Sequence, residues 1–205
     1  MRGARAAALF LIVLIGAAGC GHSRWPAKTL GDGATINLKP IVTTVDRLRK
    51  MPRPAGVDDR DAARVAEERQ VYRVDADLLR FTLASDGDIH LAIAQPGHPQ
   101  DTMIAEIPDP SRMTGAPNIY RLAVARTRRE FIAEFGTPVM STWKPANREV
   151  TLYGPLFFDL LHGQTAGLFG GTPTGIEIHP VLGITISAAS GLRGHNAIKP
   201  RVGVK

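Results

Sequence analysis

The chain has 205 residues, 44% of them hydrophobic, which is enough for one domain with a core of its own. Its formal net charge is +6, but Arg2 and Arg5 lie at the N-terminus and residues 191–205 hold four further basic residues without an acid. The stretch between them is neutral overall. This disfavours a nucleic-acid groove, because such grooves are usually built from basic residues on the fold itself.

The first residues have the pattern of a secretory signal: two arginines, an apolar run over residues 6–18, and small residues before Cys20. We therefore predict a signal peptide over residues 1–19. The small residues before the only cysteine resemble a bacterial lipoprotein box. That resemblance implies an acylated Cys20, a membrane partner and a place in the cell envelope facing the periplasm or the exterior. Ala17 stands where the box usually has a larger aliphatic residue, so cleavage without lipid, or a buried structural cysteine, stays open.

Residues 20–70 are predicted to be a tether followed by an N-terminal docking segment. Residues 21–33 are rich in glycine and polar residues, as in a flexible linker. Residues 35–38 favour a short strand. Thr44 can cap a short helix over residues 45–50, which Pro52 and Pro54 then end.

The main domain is predicted over residues 71–190, and residues 191–205 form a basic tail. Residues 71–84 favour a strand whose alternation slips near Leu78, as in a bulge. Asp86 and Gly87 provide a turn. Residues 88–94 form a second strand, with Asp88 and His90 on the face opposite the apolar side chains. Residues 102–107 form a third strand.

The rest of the domain contains the best helix and two more strands. Residues 118–135 have apolar side chains at helical spacing, and Gly136 and Pro138 end the helix. Residues 149–156 and 175–186 favour the fourth and fifth strands. This order predicts a mainly β (α+β) fold, a five-stranded OB-like Greek-key barrel with one helix between strands 3 and 4. A layered α+β domain with the same order of elements is the alternative.

Acidic and imidazole side chains recur on three separated elements of the predicted barrel. The candidate polar cluster consists of Asp88, His90, Glu106, Asp159, His162, Glu177 and His179. Glu177 and His179 share one face of the last strand, and Pro180 interrupts that strand so that His179 can be re-aimed. We expect the barrel to bring these side chains to a common rim.

Three kinds of chemistry fit such a cluster. Carboxylates and imidazoles suit Zn²⁺ or Mn²⁺, and Asp159, His162, Glu177 and His179 are the candidate ligands of such a divalent metal. The same groups can form a buried hydrogen-bonded network that only stabilises the fold. Metal-free acid–base chemistry is the third possibility.

Four short motifs resemble an uncharacterised family of exported bacterial proteins. They are DGDIHL at residues 86–91, MIAEIP at 103–108, FFDLLHGQ at 157–164 and IEIHPV at 176–181. The element order and the turn at Asp86–Asp88 are also similar to the staphylococcal-nuclease-like fold, in which that turn and Asp109 imply calcium ligands. That enzyme type needs an arginine on its third strand, where Met103 and Ile104 stand here, so only the fold is expected from this likeness.

The function expected from the sequence is that of an exported, lipid-anchored envelope protein, acting as a binding or scaffold module with a structural cluster. A metal-dependent hydrolase of phosphodiesters that uses the cluster is the alternative, and a nucleic-acid-binding OB barrel is a second one. The neutral domain argues against the latter. Neither the ligand nor the substrate follows from the sequence.

Overall fold

The structure is a computed structural model that describes residues 24–32, 36–161 and 170–188. Seven strands form one sheet, so the expectation of a mainly β protein is confirmed, whereas the expected number of five strands is wrong. The strands are β1 (Asn37–Thr44), β2 (Gln70–Leu83), β3 (Ile89–Gln95), β4 (His98–Ile107), β5 (Lys144–Phe158), β6 (Ile176–Ile178) and β7 (Gly183–Ile186). The α-helices are α1 (Trp25–Lys28), α2 (Val45–Arg49) and α3 (Asn118–Phe135), with short 3-10 helices at Ala66–Arg69 and Pro110–Arg112.

Five of the strands pair in a circuit that returns to its starting strand. β2 pairs with β3, β3 with β4, β4 with β6, β6 with β5, and β5 again with β2. The β4–β6 pairing is parallel, and the other four are antiparallel. The two additional strands lie outside this circuit: β1 pairs in parallel with β2, and β7 pairs with β5.

β2 contains the predicted bulge. Its pairing with both β3 and β5 shifts register between Leu78 and Arg80, which is where the alternation of apolar residues slips in the sequence. The shift lets one long strand bend and take part in two pairings. The following turn has Gly87 at φ 87°, and the Asp88 N–H donates to Asp86 Oδ1 at 3.2 Å. Asp88 therefore ends the turn, and His90 lies near the start of β3.

The predicted fifth strand is interrupted. Instead of one strand over residues 175–186, the chain forms β6 and β7, and Val181 donates its N–H to the Glu106 carbonyl between them. The chain crosses β5 closely here: a Cβ on Gly154 would lie 2.4 Å from the Pro180 carbonyl oxygen, so this approach requires glycine. Because of this interruption, the His179 side chain points into the interior of the protein.

Helices α2 and α3 pack against the sheet. Thr44 caps α2 as predicted, since its Oγ1 accepts from the Arg47 N–H at 3.2 Å. α3 ends at Gly136, also as predicted, and packs its aromatic face against the sheet. Phe131 meets Phe81 edge to face with ring centroids 5.0 Å apart, and both rings are buried.

The N-terminal segment, which we define as residues 24–32, lies against the sheet. The exposed fractions are 3% for Ala27, 1% for Thr29 and 1% for Leu30. Its helix α1 has only four residues. So short a helix has no stability alone, so its packing against the sheet must hold it in place. Of the helices in the described ranges, none combines the length and the apolar character needed to span a bilayer.

Candidate functional site

A buried cluster of acids and bases lies where three strands meet the N-terminal segment. Asp88 precedes β3, His90 lies on β3, and Glu106 lies opposite His90 on β4. The parallel pairing of β4 with β6 brings Glu177 and then His179 alongside them. Helix α1 contributes Lys28. We call these six residues the acid–base cluster: Lys28, Asp88, His90, Glu106, Glu177 and His179.

Glu106 is the centre of the cluster. Its Oε1 lies 2.9 Å from His90 Nε2, and its Oε2 lies 3.0 Å from Lys28 Nζ and 3.2 Å from His179 Nε2. The Glu106 side chain is only 2% exposed. Burial opposes its ionisation, but the charges of His90 and Lys28 outweigh burial and hold the pKa of Glu106 well below its ordinary value. Glu106 is therefore a buried carboxylate with three basic neighbours.

His179 is fully buried and meets hydrogen-bond acceptors on both sides of its ring. Nδ1 donates to the Lys28 carbonyl oxygen at 2.8 Å. Nε2 lies 3.2 Å from Asp88 Oδ2 and 3.2 Å from Glu106 Oε2. Because both nitrogens face oxygens, the ring is an imidazolium when the two carboxylates are ionised. Burial disfavours that charge, yet the hydrogen bonds to Asp88 and Glu106 raise the pKa of His179.

Lys28 and Glu177 are the remaining ionisable members of the acid–base cluster. Burial lowers the pKa of Lys28, but the charges of Glu106 and Glu177 outweigh it and raise that pKa well above its ordinary value. Glu177 Oε1 lies 3.8 Å from Lys28 Nζ, farther than Glu106 Oε2 at 3.0 Å. Burial and the charge of Glu106 raise the pKa of Glu177 well above its ordinary value. The ammonium therefore pairs more closely with Glu106 than with Glu177.

His90 is the most exposed member of the acid–base cluster, with 24% of its side chain accessible. Burial lowers its pKa, but the charge of Glu106 and the contact with it prevail, so the pKa of His90 is raised. His90 therefore connects the buried carboxylates to solvent.

Five of the seven predicted site residues belong to this cluster: Asp88, His90, Glu106, Glu177 and His179. Asp159 forms none of the ion pairs given above, although its charge acts on Lys28 and Glu177. Its Oδ1 accepts from the Leu160 N–H and its carbonyl from Arg53. His162 and Cys20 lie outside the described residues. Asp109, placed among the implied calcium ligands, caps the 3-10 helix Pro110–Arg112 by accepting from the Ser111 N–H.

Sequence reasoning missed Lys28, because it lies in a stretch that the composition indicates is a linker. One local signal was present: Pro26 follows Trp25, and proline is common in the first turn of a helix. Arg24 was missed for the same reason. Its guanidinium pairs with Glu68 at 2.9 and 2.6 Å, and Glu68 Oε1 also accepts from the Phe158 N–H. This pair, like the contacts of Lys28, attaches the N-terminal segment to the rest of the domain.

The arrangement is suited to holding a cation. Asp88, Glu106 and His179 each offer one atom, and these atoms lie within 4.8 Å of one another. Carboxylate oxygen and imidazole nitrogen bind divalent metals as well as ammonium groups. In this structure the Lys28 ammonium is paired with one member of this group, Glu106, and lies farther from Glu177.

No protein-family model, curated protein or solved structure matches the chain. The chemistry of the acid–base cluster and of the N-terminal segment is therefore the basis for inferring function.

Proposed function

We propose that the protein is an exported, lipid-anchored module of the cell envelope that binds or supports a partner. In this proposal the acid–base cluster has a structural role. It holds the N-terminal segment, which lies nearest to the membrane, against the folded domain. One observation carries the proposal: the ammonium of Lys28, from the N-terminal segment, is buried against Glu106 and Glu177, and the Lys28 carbonyl accepts a hydrogen bond from buried His179. The proposal requires neither catalysis nor a bound metal.

The strand circuit supports an OB-like barrel as the folded part. An OB-fold has five strands, of which the third runs parallel to the fifth, and the fourth returns to the first. Here β2, β3, β4, β5 and β6 take those places, and helix α3 lies between β4 and β5. β1 and β7 are additions at its edges. The OB-fold usually presents a binding face, which fits a module that binds a partner.

The spacing between Cys20 and the fastened segment supports close anchoring. Three residues separate Cys20 from Arg24, so even a fully extended chain reaches only about 14 Å. Arg24 is 2% exposed, pairs with Glu68, and donates its N–H to the Arg60 carbonyl at 2.8 Å. With an acylated Cys20, the domain is held against the bilayer surface instead of hanging on a long tether.

The charge balance of the cluster argues for a structural role. Three carboxyl groups face three basic groups, so the site neutralises itself without a substrate or a free ion. Breaking a buried ion pair by removing one partner is strongly destabilising, because the remaining charge is left without compensation. A cluster of this kind therefore holds two chain segments together and makes their contact specific.

Metabolic labelling with a fatty acid tests the anchoring. Labelled fatty acid is expected to enter the full-length protein expressed in a bacterium and to be absent from Cys20→Ala, which should leave the membrane fraction. Label that persists in Cys20→Ala, or wild-type protein recovered unlabelled, contradicts the anchor.

Trypsin treatment of the membrane fraction tests the fastening. Cleavage after Lys28 is expected to be slow in the wild type and fast in Glu106→Gln, because the buried lysine is then released. Equal cleavage of the two proteins contradicts the structural role.

A further inference from the structure

The ammonium of Lys28 is paired with Glu106, which together with Asp88 and His179 has the composition of a metal site. Nζ lies 3.0 Å from Glu106 Oε2 and 3.8 Å from Glu177 Oε1. The lysine belongs to the four-residue helix α1, which side-chain contacts and not the sheet pairing hold in place. The cation is therefore attached to a segment that can leave the site without breaking a strand pairing.

Two of the spacings between the candidate ligand atoms match those around a divalent ion. His179 Nε2 lies 3.2 Å from Asp88 Oδ2 and 3.2 Å from Glu106 Oε2, and all three atoms lie within 4.8 Å of one another. An ion bound at about 2.0–2.2 Å holds neighbouring ligand atoms about 3.0–3.5 Å apart. The three side chains could close around an ion with small changes of rotamer.

A further buried carboxylate oxygen, from Glu177, lies on the side of the Lys28 ammonium. Glu177 Oε1 is buried and makes no hydrogen bond to any residue in the described ranges, and the Lys28 ammonium at 3.8 Å is too distant for one. Buried carboxylate oxygens without a hydrogen-bond partner are rare and need an explanation. A cation nearer to Glu177 than the ammonium would satisfy this oxygen.

We propose that Asp88, Glu106 and His179 bind a divalent cation, Zn²⁺ or Mn²⁺, when the N-terminal segment withdraws Lys28. Two carboxylates and one imidazole suit these ions. The exchange balances: one M²⁺ enters, the lysine ammonium leaves, and the proton on His179 Nε2 is released, so the net charge of the site is unchanged. This goes beyond the proposed function, because the protein would then have two states. In one, Lys28 holds the N-terminal segment on the domain; in the other, the segment is released and the site binds an ion.

The Lys28→Met variant tests the exchange, since methionine keeps much of the length of lysine but carries no charge. Purified wild type and variant are dialysed separately against Zn²⁺ and against Mn²⁺, and bound metal is measured by elemental analysis. The variant is expected to bind one ion per chain. If the withdrawn state makes up about 0.1% of the wild type, the variant should bind about 1,000-fold more tightly.

Two matched histidine changes in the Lys28→Met background locate the ligands. His179→Ala should abolish binding, whereas His162→Ala should leave it unchanged. Glu106→Gln should also abolish binding. Circular dichroism establishes that each variant is folded. A folded Lys28→Met protein that binds neither ion overturns the proposal, as does binding that depends on His162 and not on His179.

Wild-type protein decides the question if Lys28→Met does not fold. Ion binding should expose the withdrawn segment, so trypsin should cleave after Lys28 faster in millimolar Zn²⁺ or Mn²⁺ than with chelator. Unchanged cleavage together with no bound ion overturns the proposal. That result would not affect the proposal that the acid–base cluster holds the N-terminal segment on the domain.

Discussion

Glu106→Gln removes the central charge of the acid–base cluster while keeping the shape of the side chain. In the wild type the carboxylate faces Lys28 Nζ at 3.0 Å, His90 Nε2 at 2.9 Å and His179 Nε2 at 3.2 Å. Removing one partner from a buried ion pair typically costs about 3–5 kcal/mol. For a chain of this size, each kcal/mol lowers Tm by about 2–4 °C, so we expect a fall of roughly 6–20 °C.

Urea unfolding of four proteins separates the ion pair from the rest of the site. They are the wild type, Glu106→Gln, Lys28→Met and the double variant. The double variant should be more stable than the sum of the two single losses predicts, by about 1–3 kcal/mol, because it leaves no unpaired ammonium. Linear extrapolation gives each free energy of unfolding, and unchanged m-values show that the comparison is valid.

Asp46→Asn is the matched control, because it removes one carboxylate from an exposed pair with Lys50 on helix α2. Exposed pairs of this kind contribute about 0.3–0.5 kcal/mol. The reasoning is refuted if Glu106→Gln destabilises the protein no more than Asp46→Asn. Strict additivity in the double variant would also refute it.

Three further predictions concern other parts of the structure. Burial opposes the charge of His90 and His179, but contacts with carboxylates raise both pKa values above 6.5, so the stabilisation is complete below pH 6.5 and is lost as pH rises through the folded-state values. Urea unfolding between about pH 6 and about pH 9 should show this decline, and His179→Gln should flatten it. Gly154→Ala should destabilise by about 1–3 kcal/mol in thermal unfolding, because its Cβ would lie 2.4 Å from a backbone oxygen; Gly183→Ala, whose nearest contact would be 3.7 Å, should change little. Glu68→Gln should lose about 3–5 kcal/mol in urea unfolding and should speed tryptic cleavage after Arg24; unchanged cleavage would show that this pair does not hold the segment.

Local patterns in the sequence predicted much of the fold. The register shift at Leu78, the turn at Gly87, the cap at Thr44 and the end of α3 at Gly136 each depend on residues close together in the chain. Such features depend on the backbone conformations that the local residues favour. The pairing partners of β1 and β7 depend on distant strands, and the strand count was therefore wrong.

Five of the seven side chains in the predicted cluster meet in the structure, but the prediction did not include the cation that joins them. Strand alternation placed Asp88 and His90 on one face and grouped Glu177 with His179, and these four do meet. Lys28 could not be predicted, because its burial depends on contacts with residues about 80 and 150 positions away along the chain. Only the folded chain brings its ammonium to the carboxylates.

Native-state hydrogen exchange at the amides of Lys28, Thr29 and Leu30 tests the central claim most directly, because these N–H groups bond only within the N-terminal segment. A free helix of this length would give them almost no protection. If the acid–base cluster holds the segment on the domain, their exchange should be slowed by at least about 10³-fold, and Glu106→Gln should abolish most of this protection while sparing the amides of β2. Exchange at the rate of an unstructured peptide in the wild type would contradict the account.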